Sequence, residues 1–571
     1  MGEVQGAVEV GAFFRTGERF ALAKPLVLAV CLLGASLLSA TGCGVDGRGR
    51  KIPRPILIED VEQLAWIIQD AHPAPYERCG GKDAFDAKLA ETIAGIPEGG
   101  MPAHAFSRHL LPFMAFVGDA HTVVHDEYAV SSSKPGGVPL YFGPVGRELY
   151  VRGVTREEER RLIGARLVSV EGVPFAEIVE RLGRLRPLEN EYAALAWLSS
   201  YGGLWYEPNL SMLMPEWTDH SRISVVLLLA DDTEEKLTFD LPRRVGYPPI
   251  VPESKVDLPS TDRCEFVYTF LDDERSVALL RVTGMMHYRE ALEIWESYGQ
   301  EDMRRHGRAA YERFHGTSPP SDYNELMAGV PSATETFRSL LTEMKEAGTR
   351  TLLVDLTRNS GGNSFMSNIL VYFLYGKETL LGRAPALELK KYSTYYYDVR
   401  PNESLEDVNE GREVPIAMGE CGIVSSAGGE VTPELRAQRE STLRRMTTFA
   451  AELDGGEYDG YYTPEHVVVL STPWTFSSGY TMMKYLYRAG AELAGTPSGQ
   501  ASNCFGDILP FELPNSGVRG NVSHKRYADF PEVDPRGRAL PMDHPLTYEK
   551  LREYGFDLNA EVLWGMEIGG M

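Results

Sequence analysis

Basic residues are in short supply: 57 Lys and Arg stand against 81 Asp and Glu, a formal charge of −24. No dense basic run relieves that balance, and phosphate recognition needs one, which argues against a nucleic-acid partner. Cysteine is scarce too. The six, at positions 31, 43, 79, 264, 421 and 504, are too scattered for a disulfide framework, and no CxxC pair or close Cys/His set marks a zinc site. A Gly period and a sustained heptad are both missing, so collagen-like and coiled-coil classes fail. No internal repeat is present. Beyond residue 43 no apolar stretch reaches the roughly 20 residues a spanning helix needs. What is there is 43% hydrophobic and 10% aromatic, ample for packed cores, and 571 residues imply two or three domains.

The start reads as a targeting segment. Lys24 precedes an apolar run from Pro25 to Ala40, followed by Thr41-Gly42-Cys43. The run is shorter than a membrane span, and its small residues and terminal Cys resemble the lipobox of bacterial lipoproteins. That resemblance implies a signal segment over 1–42 and lipidation of Cys43, hence an exported protein held to a membrane of the bacterial cell envelope through a lipid anchor. An ordinary secretory signal or a short anchor, with Cys43 incidental, is the alternative. Residues 1–42 hold Arg15, Arg19 and Lys24 against Glu3, Glu9 and Glu18, so the mature chain keeps its −24.

After a polar tether, Val61, Leu64, Ala65 and Ile68 recur at helical spacing. Phe85, Leu89 and Ile93 predict a second helix, and Phe106, Leu110, Met114 and Val117 a third. Residues 43–130 are therefore expected to be a tether and a helical N-terminal domain. From 131 to 260 the pattern turns to short strands. Arg166–Val170 runs into a turn at Glu171-Gly172, and Phe175, Ile178, Val179 and Leu182 then line a helix. This strand–turn–helix resembles part of a PDZ domain, whose exposed strand can pair with a peptide; a generic sheet-plus-helix module is the alternative. From 261 to 571 strands and helices alternate, with buried strands expected at Thr351–Leu356 and His466–Ser471, which argues an α/β layered core. The charged stretches near 288–325 and 385–460 read as surface insertions.

Four segments could carry chemistry. In Asp355-Leu356-Thr357-Arg358-Asn359-Ser360-Gly361-Gly362, a strand enters paired glycines before a helix and exposes backbone N–H groups, as an oxyanion site requires; a tight turn is the plain reading. Ser477 follows the His466–Ser471 strand at a strand-to-helix junction, where a hydroxyl is presented at the sheet edge; the plain reading makes Ser477 or Thr475 an N-cap. His121, in Gly118-Asp119-Ala120-His121-Thr122, is a candidate general base, because imidazole exchanges protons near neutral pH. Asp70-Ala71-His72-Pro73-Ala74-Pro75-Tyr76 reads as structural.

Taken in order, His72-Pro73-Ala74-Pro75-Tyr76, the Gly118–Thr122 turn, the PDZ-like segment, the Asp355–Gly362 loop and Ser477 after a VVVLS strand resemble the tail-specific (C-terminal-processing) serine peptidase family. The branch is the tricorn-core-like and retinoid-binding-protein-like one. The resemblance covers about 56 to 545, both insertions excepted. It implies an α/β core of ClpP/crotonase-like type, Ser477 as nucleophile, and the Ser478 amide with the Gly361-Gly362 loop as oxyanion hole. It implies a polypeptide substrate and no metal or organic cofactor. Two positions depart from the family pattern: Tyr480 stands where a Glu is usual, and residues 495–502 hold no Lys, where the Ser–Lys branch keeps its base. Lys484 is seven residues beyond Ser477, about 10 Å along the helix, too far to serve. The expected base is then His121, with His524 a rival. For the orienting acid Glu532 is the choice, and Asp529, Asp534 and Asp543 compete. The expectation is an exported serine endopeptidase; the alternative is an inactive peptide- or lipid-binding lipoprotein on the same fold.

Overall fold

The computed structural model of the chain describes residues 50–125, 136–200, 203–241, 249–297, 303–426 and 431–571. The expected signal segment and Cys43 lie outside the described residues. Among these, no helix is long and apolar enough to cross a membrane.

The strands that the apolar runs predict form the centre of a six-stranded sheet. Its order is His544–Pro545, Glu492–Gly495, His466–Ser471, Thr351–Asp355, Val277–Val282 and Phe266–Phe270. All neighbours are parallel except the last pair, an antiparallel hairpin. Both faces are covered, as a parallel sheet requires. Alternation along the strands divides the side chains: Leu352, Val354, Val467 and Val469 enter a large core with the helices Ala333–Ala347, Phe365–Leu381 and Ser478–Arg488. Leu353, Val468 and Leu470 face the opposite way, against Val562 of the C-terminal helix Ala560–Ile568. The helix after the glycine loop breaks at Gly376, where φ is +82°.

A second, five-stranded antiparallel sheet joins distant parts of the chain. Cys504–Glu512, Arg519–Ala528, Leu387–Lys391, Cys421–Ser425 and the two residues Val123–Val124 compose it. The three N-terminal helices, Arg54–Ala71, Lys82–Ala94 and Ala103–Val117, pack on it, and Leu57, Leu64, Phe106 and Leu110 share one core with Leu509, Phe511 and Val522. Buried Asp60 accepts hydrogen bonds from the amides of Asn515 (3.1 Å) and Ser516 (2.7 Å), tying the first helix to the hairpin turn. The expected helical N-terminal region thus exists, but it has no core of its own.

Residues 138–250 form a third sheet, Leu140–Val145, Glu148–Val154, Arg166–Val170, Arg222–Leu228 and Glu234–Asp240, with the helix Phe175–Gly183 and a separate core. The two expected surface insertions differ from expectation. Tyr288, Leu292 and Trp295 from the first, and Leu443, Met446 and Phe449 from the second, are buried in the main core. The second also supplies two strands to the antiparallel sheet. Charged helix faces turned to solvent gave these stretches a surface composition, while their apolar stripes face inward.

Candidate active site

The strand His466–Ser471 ends in the main sheet and the helix Ser478–Arg488 begins seven residues later. Ser477 makes the turn between them with φ +53° and ψ −123°, a conformation a side chain with a β-carbon adopts only at a cost of roughly 1–3 kcal/mol. It occupies the N-cap position, yet its side chain makes no cap hydrogen bond. Thr475 does not cap either: its hydroxyl donates to the Leu356 carbonyl at 2.8 Å. The plain reading of this segment therefore fails on geometry. The Ser477 amide donates to Gln500 Oε1 at 2.5 Å, and Gln500 is itself buried and held by its own amide on Ser498 Oγ at 2.9 Å.

The glycine loop lies directly against this turn. Gly361 and Gly362 have φ of +116° and +140°. A β-carbon on Gly361 would fall 3.0 Å from Ser477 Oγ and 3.1 Å from the Ser478 nitrogen, and one on Gly362 would fall 2.4 Å from the Met285 carbonyl carbon. Only backbone fits. The Ser478 hydroxyl donates to the Gly362 carbonyl at 2.7 Å and lies 2.9 Å from Ser364 Oγ. The Gly361 amide is spent on Asn359 Oδ1 at 2.9 Å, so the expected oxyanion role does not fall to it.

His121 reaches the same place from the N-terminal helices. Its ring stacks on Phe476, the residue before Ser477, with centroids 4.9 Å apart and an interplanar angle of 27°. The turn that carries it is fixed by Asp119, which is fully buried. Asp119 accepts from the His121 amide at 2.9 Å, from the Ser523 hydroxyl at 2.6 Å and from the Thr122 hydroxyl. His72 Nε2 stands 3.4 Å from Asp119 Oδ2. His72 Nδ1 accepts from the Ala74 amide at 3.1 Å, so in the neutral ring the proton sits on Nε2, facing the carboxylate. Burial works to raise the Asp119 pKa, but His72, His121 and Ser523 together hold it well below the usual carboxylate range. The segment read as structural is structural, and its target is the His121 turn.

The acid beside His121 is Glu189. Its Oε1 lies 3.9 Å from His121 Nδ1, and its Oε2 accepts from the Ala501 amide at 2.9 Å. Burial raises the Glu189 pKa, while His121 and Arg78 oppose the shift. Glu532 is exposed, and the structure does not bring it to the imidazole. The competing acids are committed elsewhere: Asp529 to Lys484 (2.7 Å) and Arg488 (3.0 Å), Asp534 to Arg536 (2.7 Å), and Asp543 to the Leu493 amide (2.9 Å). No sequence pattern singled out Glu189; the only local signal is the pair Glu189-Asn190, polar residues at the start of the helix Glu191–Leu198 that Asn190 caps.

The other candidates resolve in the same way. His524 is buried in the antiparallel sheet beside Asp507 (3.7 Å) and Tyr396, and burial pushes its pKa down to about 3. Burial would lower the Lys484 pKa, but Asp529 overrides it and holds the ammonium charged; it is no base. Tyr480 is buried and hydrogen-bonded to the Ser502 hydroxyl, filling the space behind the helix start. Asp119, His121 and Glu189 each offer a ligand atom within 4.8 Å of the others, a spacing that could suit a metal ion. Protein donors already occupy both Asp119 oxygens, so the trio reads as a hydrogen-bonding cluster.

No family model matches the chain and no curated protein is a detectable sequence relative. Solved structures do resemble it. Mature CPAF aligns with a TM-score of 0.52 at 12% identity, over 90% of this chain and 97% of CPAF. CPAF complexed with lactacystin aligns with 0.51 at 13% identity, over 90% and 98%. The photosystem II D1 C-terminal processing protease aligns with a TM-score of 0.37 at 12% identity, over 87% of this chain and 94% of that one, a value too low to argue from. The likeness to CPAF, end to end at low identity, establishes a shared fold of mixed α/β sheets.

Proposed function

We propose that the protein is a serine peptidase of the tail-specific type, with Ser477, His121 and Glu189 as its catalytic groups. The observation that carries this reading is the backbone of Ser477. A serine held at positive φ between a buried strand and a helix, without capping the helix, has the backbone of a nucleophile at a strand-to-helix turn. The fold shared with CPAF supports the reading, and so does the convergence of His121 and the glycine loop on one residue.

Ser477 Oγ attacks the peptide carbonyl carbon as His121 takes its proton. The carbonyl oxygen becomes an oxyanion, stabilised by the Ser478 and Gly362 amides. His121 then gives the proton to the leaving amine, the C–N bond breaks, and an acyl-enzyme remains. Water, deprotonated by the same imidazole, releases the acid. Glu189 orients the ring and stabilises the imidazolium. In the resting geometry its 3.9 Å separation from Nδ1 is longer than a hydrogen bond, as is common before substrate closes a site.

The residue 138–250 module is read as PDZ-like, the core as ClpP/crotonase-like, and the mature chain as exported and lipid-anchored at Cys43. Hydrolysis of an unstructured polypeptide by the wild type, lost in Ser477→Ala and in His121→Ala, tests the peptidase. Binding of peptide without turnover in the wild type would instead mark an inactive binder.

A further inference from the structure

A cavity of about 240 Å³ lies beside the Ser477 turn. Three of its lining residues touch Ser477 or its neighbour. Gln500 accepts from the Ser477 amide at 2.5 Å, Thr481 Oγ1 is 3.4 Å from the Ser477 carbonyl, and Ser364 Oγ is 2.9 Å from Ser478 Oγ. The cavity therefore comes within one residue of the proposed nucleophile and runs along its helix to Tyr485, about 12 Å further on.

Its walls are basic, in a chain of charge −24. Most of that positive charge is matched within the protein. Lys484 and Arg488 both bind Asp529, at 2.7 and 3.0 Å, and Lys525 binds Asp507 and Glu388 at 2.8 and 2.9 Å. Arg383 and Arg439 are different. Arg383 donates to Asn368 Oδ1 at 2.8 Å and lies 4.0 Å over the Tyr485 ring. Arg439 donates to the carbonyls of Leu381 (2.7 Å) and Arg383 (2.8 Å). Among the described residues no carboxylate pairs with either. Burial lowers the pKa of both guanidinium groups, that of Arg439 to about 10, and each is further lowered by a neighbouring arginine. Two adjacent, half-buried cations without a counter-ion are costly to maintain unless an anion joins them.

We propose that Arg383 and Arg439 form a subsite for a carboxylate of the substrate peptide. The proposal rests on the peptidase reading of Ser477 for its place beside a scissile bond. The carboxylate is either an acidic side chain a few residues from that bond or the peptide's own C-terminus. Guanidinium groups suit it, because their planar donors match a carboxylate two bonds at a time. The glycine loop and the Ser477 helix start hold the reacting carbonyl, and the arginines would fix the register of the chain running past it.

The test uses the full-length protein and short synthetic peptides of mixed sequence, each made with Glu, Gln or Lys at successive positions and as free acid or C-terminal amide. Cleavage is mapped by mass spectrometry. Retention of the same peptides is measured on Ser477→Ala, and labelling of Ser477 by a fluorophosphonate is measured in parallel. The expected result is a preference for Glu over Gln at one position, or for free acid over amide, which distinguishes the two carboxylate sources. Arg383→Gln and Arg439→Gln should each reduce that preference by about tenfold or more, and Arg439→Lys should restore part of it. If Ser477 is labelled but cleavage and retention ignore Glu, Gln and amide alike, the subsite is wrong and the peptidase reading stands. If no serine is labelled and nothing is cleaved, while acidic peptides are still retained through the two arginines, the peptidase reading fails and the carboxylate site remains. Absence of labelling, cleavage and retention overturns both. Thermal midpoints of the variants identify any that fail to fold, and the charge-keeping Arg439→Lys then decides.

Discussion

A β-carbon on Gly361 would stand 2.6 Å from the β-carbon of Ser477. Real β-carbons do not approach so closely, so Gly361→Ala must push the loop away from Ser477, the proposed nucleophile, or move Ser477 itself. It also places a side chain at φ +116°. The expected stability loss is about 1–3 kcal/mol, and the expected loss of turnover is about 100-fold or more, because the oxyanion donors move with the loop. Urea unfolding and single-turnover hydrolysis measure the two separately.

Glu189→Gln separates the acid from its shape. It should cut kcat by roughly 10²–10⁴, because the partner of His121 loses its charge. Stability should hold or rise. The folded Glu189 pKa is raised, so its contribution is fully present below the ordinary glutamate value and is lost as pH rises through the folded one. Removing the carboxylate removes that loss, so the variant should match or exceed the wild-type melting temperature at neutral pH. Glu532→Gln should leave turnover unchanged. Equal loss in both, or loss only in Glu532→Gln, would return the role to the C-terminal turn.

Asp119 has the opposite sign. Its pKa is lowered in the folded protein, so its contribution is present above the usual carboxylate value and is lost as pH falls below it. Wild-type stability should therefore drop on acidification below about pH 4. Asp119→Asn should show less of that slope and be less stable at neutral pH by roughly 3 kcal/mol, since four neighbouring groups lose a buried charge. Denaturation curves across the acid range decide this. A neutral-pH stability equal to wild type would remove Asp119 from the framework of the site.

Much of the site could be read from the chain because its parts are local. Thr351–Asp355 and His466–Ser471 are short continuous apolar runs ending in turn residues, the trace a buried parallel strand leaves. Gly361-Gly362 and the Gly118–Thr122 turn announce themselves by residue type. Glu189 could not be read. It meets His121 where the residue 138–250 module contacts the loop after Glu492–Gly495, with Ala501 as its second contact and Asn190 on the Ser498 carbonyl, and nothing in its neighbours encodes that meeting. The stretches near 288–325 and 385–460 misled for a related reason. Their helices are amphipathic, so composition reported the solvent face and hid Trp295 and Phe449.

Export is tested at Cys43. Cys43→Ser should move the protein from the membrane fraction to the soluble exported fraction, measured by fractionation of cells expressing the full chain, because the proposed lipid attachment site is removed. Membrane association unchanged by the substitution would mean that the apolar run from Pro25 to Ala40 is itself the anchor.

An activated nucleophile at Ser477 reacts covalently with an electrophilic probe, so labelling decides whether it is one. The native protein is treated with a fluorophosphonate, its intact mass is measured, and the adduct is mapped by peptide sequencing. The account predicts a single adduct on Ser477, absent in Ser477→Ala and formed much more slowly in His121→Ala. A folded wild-type protein with no adduct, or one labelled on a different serine, would contradict it.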